Sequence, residues 1–304
     1  MRVLHIYKAD HNFSSRILNQ ISLDRGDILS TTTNPRISFK SLYIKRSAYD
    51  IFVFHCQSSI FYMLFLLFFI SPKAIRYDIH DLNEFNFHKG LKFNLRFFAI
   101  YILEKFVIKI IKICNVSDGN KREYGSKGYV FYNLPLIKKI DKKTQKNLKE
   151  DFIFFGTEER CPKNFFNLAK KGDISLSIYG IFSDKFKEEI LKNNIDYKGA
   201  YNPNNLDFLE DYKFSLIYFP NSTQRNMKNS LPNKFFQSIL YSLNICISDN
   251  FTEMISFCEK YGVVYKIINS NKDLLNLSYV EYKVDFEKLA EDNNKQYFKF
   301  IYDS

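Results

Sequence analysis

The sequence predicts an α/β protein made of two doubly wound domains in tandem, with a cleft between them. Three observations carry this. Short β-type runs alternate with helical stretches twice over. A lysine-rich segment without apolar periodicity divides the chain. The 304 residues exceed what one small core requires.

The elements follow in order. Arg2 to Tyr7 is a β-type run, and Ser14 to Gln20 reads as a helix. Ile51 to His55 is a strand, 60–70 a helix, Ala74 to Ile79 a strand and Leu91 to Lys112 a long helix. Ile113 to Ser117 and Tyr129 to Asn133 are again strand-like. Leu134-Pro135 closes the first half, and Lys138, Lys139, Lys142, Lys143, Lys146 and Lys149 mark a solvated linker. In the second half, strands are expected at Asp151 to Gly156, Ser175 to Gly180, Ile195 to Gly199, Phe214 to Phe219 and Ile245 to Asp249. Helices are expected at Phe165 to Lys171, Lys185 to Asn193, Lys234 to Leu243 and Phe286 to Tyr302. The boundaries are therefore 1–137 for the first domain, 138–150 for the linker and 151–285 for the second domain. A last helix in 286–304 is expected to pack back toward the first domain.

Composition narrows the function classes. Hydrophobic residues at 46% and charged residues at 25% are ordinary globular usage, which excludes disordered and fibrous classes. A net charge of +11 suits nucleic acid, anionic lipid or a phosphorylated small molecule as partner. A chain-wide preference for Lys, Asn, Ile, Phe and Tyr accounts for part of that excess. The aromatic content of 17%, with 32 Phe, 21 Tyr and no Trp, supplies material for large cores. Five scattered cysteines without C-x-x-C, and no leader at Met1 to Ile6, read as a reduced cytoplasmic protein without a zinc site. The apolar stretch from Ile51 to Ile70 is long enough to span a bilayer, but His55 to Ser59 interrupt it, so no span is expected.

Candidate chemistry gathers at strand ends. All five histidines fall in the first 90 residues, and His55 and His80 each end a strand, on the ligand-facing side of a parallel sheet. His5 lies inside the first strand and packs there. His80 can position or polarise a hydroxyl group, with Asp81 or Glu84 orienting an incoming one; a hydrogen-bonded histidine at a strand end is the plain alternative. In Asn229 to Gln237, Ser230 suits an N-cap and Pro232 the first turn of a helix. Such a helix offers its positive end to an anion, Lys234 adds a point charge there, and Gln237 lies one turn on. An ordinary capped helix with an exposed lysine is the alternative. Arg160 and Lys163, after the strand-end Gly156, could meet a diphosphate from the opposite wall. Neither G-x-G-x-x-G nor G-x-x-x-x-G-K-[ST] occurs, which argues against NAD and P-loop chemistry. With no Asp-x-Asp, a metal-held diphosphate is not expected.

Taken together, these residues resemble a family. The Tyr-Asp-Ile-His-Asp-Leu strand end, Val116-Ser117 before Asn133-Leu134-Pro135, and Leu231-Pro232-Asn233-Lys234-Phe235-Phe236 ahead of Ile245 to Asp249 look like a GT-B glycosyltransferase. The likeness is to the family 4 type that builds bacterial capsule, O-antigen and other surface polysaccharides. It covers nearly the whole chain through the order of loose motifs. The resemblance implies two Rossmann-like domains, a nucleotide-sugar donor on the second and a saccharide or lipid-linked acceptor on the first. It also implies retention of anomeric configuration, no metal, and no cofactor beyond the nucleotide-sugar co-substrate.

Carried over residue by residue, Lys163 matches a diphosphate-binding lysine, His80 the histidine that faces the donor sugar, and Gln237 the place of the glutamate that holds the ribose. Together with the residue reading, His80 and Asp81 are the catalytic candidates, Arg160, Lys163, Asn229, Ser230, Lys234 and Gln237 are expected to bind the donor, and Asp10, His11 and Glu84 the acceptor. The chain departs from the family pattern at Thr157, Asn229 and Gln237, and Lys8 to Ser15 replace the usual glycine-rich loop. A catalytically degenerate scaffold subunit is therefore the alternative reading. Peripheral contact with an anionic membrane is expected through 89–112, where basic residues intersperse apolar ones. A helix packed on the sheet with solvated lysines has the same pattern. A nucleic-acid partner is not expected, because no recognition motif accompanies the charge.

Overall fold

The computed structural model describes residues 1–8, 15–31, 35–56, 59–80, 95–125, 128–135, 150–202, 205–219 and 228–303. The chain divides into two units. The first comprises Met1–Leu136, Gln224–Ser230 and Glu287–Ser304, and the second Ile137–Thr223 and Leu231–Phe286. Each holds a six-stranded, all-parallel sheet clad by helices, the Rossmann-like arrangement expected of each half.

In unit 1 the described elements run β1 (Val3–Lys8), α1 (Ser15–Asp24), β2 (Asp27–Thr31), α2 (Pro35–Lys45), β3 (Ile51–His55), α3 (Ile60–Leu66) and β4 (Ile75–Ile79). They continue with α4 (Leu95–Val107), β5 (Lys112–Asn115), α5 (Asp118–Glu123) and β6 (Tyr129–Val130). The sheet order is β2-β1-β3-β4-β5-β6. Strands covered on both faces read as near-continuous apolar runs, and every residue of β3 and β4 is buried. Alternate side chains then part to the two faces. Leu4, Ile6, Phe52, Phe54, Ile75 and Tyr77 meet α2, α3 and α4 through Leu42, Ile60, Met63, Leu66, Ile100 and Val107. Val3, Ile51, Val53 and Cys114 meet Tyr297, Phe300 and Ile301 of the last helix, Phe286–Tyr302.

In unit 2 the elements are β7 (Glu150–Phe155), α6 (Phe166–Lys171), β8 (Leu176–Tyr179), α7 (Asp184–Lys192), β9 (Asp196–Gly199) and β10 (Tyr212–Ile217). They are followed by α8 (Asn233–Leu240), β11 (Asn244–Ile247), α9 (Thr252–Tyr261), β12 (Tyr265–Ile267) and α10 (Asn271–Leu275). The last helix of the chain is α11. Sheet order is β12-β11-β10-β7-β8-β9. Phenylalanine fills the main core of this unit: Phe152 stacks on Phe214 at 5.0 Å, and Phe165 lies 4.6 Å from Tyr218.

Several elements differ from the sequence reading. Within the expected helix from Leu91 to Lys112, α4 ends at Val107; Ile108 to Ile111 form a turn, and Lys112 already belongs to β5. The apolar run continues across that junction, so hydrophobicity alone does not mark where the helix stops. Tyr129 to Asn133 keep strand pairing only at Tyr129 and Val130. The elements β2, α2, α5, α9, β12 and α10 escape the sequence pattern; β2 is an edge strand, mostly exposed and without clean alternation. Ser230 does not cap the helix that follows. The N-cap is Pro232, in extended backbone, with no side-chain cap bond. The lysine-rich linker lies outside the described residues.

Candidate functional site

Unit 2 has the strand order 3-2-1-4-5-6 in its own numbering, which reverses between β7 and β10. Ligands of open parallel sheets bind beyond the carboxyl ends of the strands at such a point. A cavity of about 430 Å³ lies there, lined by Glu158, Cys161, Lys163, Asn164, Tyr218 and Phe219 among others. Gly156 follows β7 at φ 154°, and Gly180 follows β8 at φ 155°. A Cβ on Gly180 would stand 2.3 Å from the Gly156 carbonyl oxygen, so the two strand ends pass backbone against backbone.

Lys234, in the first turn of α8, reaches this junction. Its Nζ stands 4.5 Å from the centre of the Phe154 ring, and a Cβ on Gly156 would lie 4.0 Å from it. Among the described residues no carboxylate pairs with it. Burial, and then the neighbouring Arg160 guanidinium, lower its pKa to about 7. An amine on aromatic carbon, beside a second cation and at the positive end of a helix, is held short of its usual charge until an anion arrives. Arg160 is exposed on the turn Glu158–Arg160. Lys163 is engaged already: its Nζ lies 2.9 Å from Glu189 Oε2 and 4.2 Å from the centre of the Phe186 ring. Gln237 is partly buried, one turn along α8 from Lys234.

Asn229 and Ser230 fall in unit 1 instead. The Asn229 carbonyl accepts from Ser117 Oγ at 2.7 Å, and its side chain packs where a Cβ on Gly119 would come within 2.7 Å of Oδ1. That engagement anchors the segment before α8 to the β5–α5 junction, where Ser117 also caps α5 by accepting from the Asn120 N–H.

The second cluster belongs to unit 1 and is built by register. His55 pairs with Asp78 across β3 and β4, and His5 lies opposite Val53 on β1. The period of two sends His5, His55, Arg76 and Asp78 to the face that carries α1 and α11. On α1, Arg16, Gln20 and Asp24 recur every four residues and form one stripe, which lies over these groups. Asp78 Oδ2 accepts from Arg16 Nε at 3.0 Å and Gln20 Nε2 at 2.8 Å, and lies 3.1 Å from His55 Nδ1 and 3.0 Å from His80 Nε2. His55 Nε2 lies 3.0 Å from His5 Nδ1, and His5 Nε2 lies 3.0 Å from Asp24 Oδ2, which also accepts from Tyr297 Oη of α11 at 2.5 Å.

Asp24, His5, His55 and Asp78 form a hydrogen-bonded chain with three gaps. Burial lowers the His55 pKa to about 4 against the pull of Asp78, so this imidazole is neutral. Burial alone would raise the Asp78 carboxyl, but Arg16, and then His80 and His55, hold it well below the usual carboxylate range. Burial opposes charge on His80 too, yet Cys56 and Asp78 override it and raise its pKa to about 10. His80 therefore presents an imidazolium at the end of β4, its side chain 17% exposed. Cys56 beside it adopts φ 62°, a left-handed conformation uncommon for a residue with a side chain.

Donor atoms of His55, Asp78 and His80 lie within 4.8 Å of one another, a spacing compatible with a cation. The Asp78 oxygens, however, are already taken by a guanidinium, an amide and two imidazoles. The group is a hydrogen-bonded knot with positive charge of its own. Of the residues anticipated from sequence, Arg160, Lys163, Lys234 and Gln237 are placed in unit 2 and His80 in unit 1. Asp10, His11, Asp81 and Glu84 lie outside the described residues. The sequence reading did not anticipate Arg16, Gln20 or Asp24; their four-residue spacing on α1 was the available signal.

Comparisons with known proteins concern the fold. No protein family's sequence pattern matches this chain. Anabaena HepE, solved in complex with UDP, superposes with a TM-score of 0.60 at 10% identity, covering 99% of this chain and 93% of HepE. AviGT4, a glycosyltransferase involved in avilamycin A biosynthesis, gives 0.55 at 9% identity over 100% of this chain and 98% of its own. A glycosyltransferase from Rickettsia africae gives 0.54 at 10% identity over 100% and 99% of the two chains. The chain thus has the two-domain α/β fold of GT-B glycosyltransferases. Among curated sequences, a probable ferric reduction oxidase 1 of Arabidopsis thaliana is 24% identical over 214 residues, 68% of this chain and 28% of that protein. The chain therefore spans under a third of that relative's length.

Proposed function

We propose that the protein is a glycosyltransferase that moves a sugar from a nucleotide-sugar donor to a saccharide or lipid-linked acceptor. The observation that carries this reading is Lys234, a partly discharged amine at the start of α8 beside Gly156 and Arg160, at the switch point of a Rossmann-ordered sheet. A diphosphate placed there restores the missing charge balance. It also meets Lys163 once the exposed Glu189 pair opens, a contact of small worth. Negative charge grows on the departing diphosphate, and Lys234, Arg160 and the α8 dipole stabilise it. Gln237 serves the ribose, and His80 supplies an imidazolium to the reacting sugar, with Asp81 beside it. Asp10, His11 and Glu84 are assigned to the acceptor. Retention of configuration, metal independence and a role in bacterial capsule or O-antigen synthesis complete the reading, with peripheral contact at an anionic membrane through 89–112. Support comes from the GT-B fold and from HepE, whose structure holds UDP.

A degenerate scaffold subunit is the second reading, favoured by the Lys163–Glu189 pair and by the Asn229 contacts that tie this residue to unit 1. Thermal denaturation with UDP, GDP, CMP and their sugar conjugates separates the two. The transferase reading expects stabilisation by one nucleotide, abolished in Lys234→Ala, and hydrolysis of the matching donor. Absence of both with every nucleotide leaves the scaffold.

A further inference from the structure

The helices α2, α3 and α4 bury one side against the sheet of unit 1, and their outer sides are unusual. Phe68 is 85% exposed, Ile44 62% and Phe106 59%, with Phe69, Ile102 and Ile110 also exposed. Neighbouring helices join these into one surface. Phe39 of α2 meets Tyr62 and Phe65 of α3 at 4.8 Å, Tyr43 meets Phe69 at 5.2 Å, and α3 packs beside α4. Monomeric proteins seldom leave contiguous apolar surface of this kind without a partner.

Charge identifies the partner. Lys40 and Lys109 are exposed on this side, with Lys45, Arg46 and Lys105 partly so. The three helices contain one acidic residue, Glu104, and it is fully buried, accepting from Tyr77 Oη at 2.5 Å and Tyr124 Oη at 3.0 Å. Among the described residues the outer side of these helices thus carries cations and apolar rings with no carboxylate. A second copy docked by a two-fold contact would set these cations against their own equivalents. A nucleic acid would leave the rings unused. Among the described residues no helix is long and apolar enough to cross a membrane, so the surface lies on a bilayer instead of spanning it.

We propose that α2, α3 and α4, with the turns at Leu67–Ile70 and Ile108–Ile111, form a bilayer-docking surface for anionic lipid, with Phe68 and Phe106 entering the interface. The proposal deepens the membrane contact read at 89–112 and rests on that contact alone, independent of the donor. It also widens the contact beyond that segment. Within 89–112, Lys112 donates to the Asp303 carbonyl and Lys105 stands over the Tyr101 and Tyr124 rings, and Ile37, Tyr43, Ile44, Phe61, Phe68 and Phe69 add exposed apolar surface from α2, α3 and the turn at Leu67–Ile70.

Co-sedimentation of the full chain with vesicles tests this. We expect binding to phosphatidylcholine vesicles containing one part in about three of phosphatidylglycerol, and weaker binding to phosphatidylcholine alone, the difference shrinking above about 0.15 M salt. Phe68→Ser/Phe106→Ser should lower the vesicle-bound fraction about tenfold, as loss of two inserted rings implies. Lys40→Glu/Lys109→Glu should remove the preference for phosphatidylglycerol. Both variants should keep any nucleotide-induced stabilisation and the parent's melting temperature, which separates lost docking from lost folding and from failure of the donor reading. No sedimentation of the parent with phosphatidylglycerol vesicles overturns the proposal. So does a concentration-dependent dimer in sedimentation velocity that Phe68→Ser/Phe106→Ser abolishes while vesicle binding persists; the surface is then a self-association face.

Discussion

Asp78 meets two imidazoles that answer it in opposite ways. His80 carries its proton in the folded state up to about 10, against 6.5 for a free imidazole. Its contribution to stability is therefore complete below pH 6.5 and is lost as pH rises toward 10. His55 is buried neutral, with a folded pKa of about 4, so its contribution is complete above pH 6.5 and is lost as pH falls toward 4. Urea-denaturation midpoints followed from pH 4 to 10 should pass through a maximum between the two limbs. His80→Gln should flatten the alkaline limb and leave the acid one; an unchanged alkaline limb would show that His80 does not hold its proton. Lys234 makes a separate prediction at this scale. Its pKa of about 7 must rise when a diphosphate binds, so binding at pH 8 takes up a proton. Titration calorimetry in two buffers of different ionisation heat should read close to one proton per nucleotide, and close to none in Lys234→Arg.

At the scale of elements, two helices on one side of the unit 1 sheet bring polar groups to a face that is otherwise core. On α1, Arg16 and Gln20 meet Asp78 and Asp24 meets His5, which accounts for a helix whose buried side includes Arg16 and Gln20. Removing Arg16 would deprive the buried Asp78 carboxylate of the guanidinium that chiefly offsets its burial, a loss usually worth several kcal/mol. At the end of α11, Arg76 from β4 donates to the Phe300 carbonyl at 2.6 Å and the Ile301 carbonyl at 2.8 Å, satisfying the orphan acceptors of the last turn. Asn293 adds a reciprocal pair with the Tyr132 backbone, at 2.6 and 3.0 Å. Arg76→Met should cost about 1–3 kcal/mol, and hydrogen exchange should show α11 losing protection before the β3 and β4 amides. Equal loss across the sheet would mean that Arg76 supports β4 and not the helix.

At the scale of the molecule, alternation and the two strand-end glycines, Gly156 and Gly180, made the doubly wound architecture legible from sequence. The strand Ile51 to His55 and the helix from Phe286 agree closely with the structure, because each is a sustained apolar pattern with clear ends. The stretch from Asp27 to Lys45 was not legible. Its strand lies at a sheet edge, and its helix leaves Ile37, Tyr43 and Ile44 exposed, so neither shows the polar-apolar contrast that periodicity detects. Lys234 was legible as a helix-start cation, but its enclosure by Phe154 and Arg160 was not. The sequence by itself determined the fold class, the positions of His80, Arg160, Lys163 and Lys234 at strand and helix ends, and the excess of positive charge, since all of these rest on local pattern and composition. Tertiary structure alone decided that residues 5, 16, 24, 55 and 78 share one hydrogen-bonded knot and that Asn229 belongs to unit 1. It alone decided that the cations of α2 and α4 share a surface that, among the described residues, carries no exposed acid. Each of those outcomes depends on strand order and helix placement, which bring together side chains whose separation along the chain carries no signal.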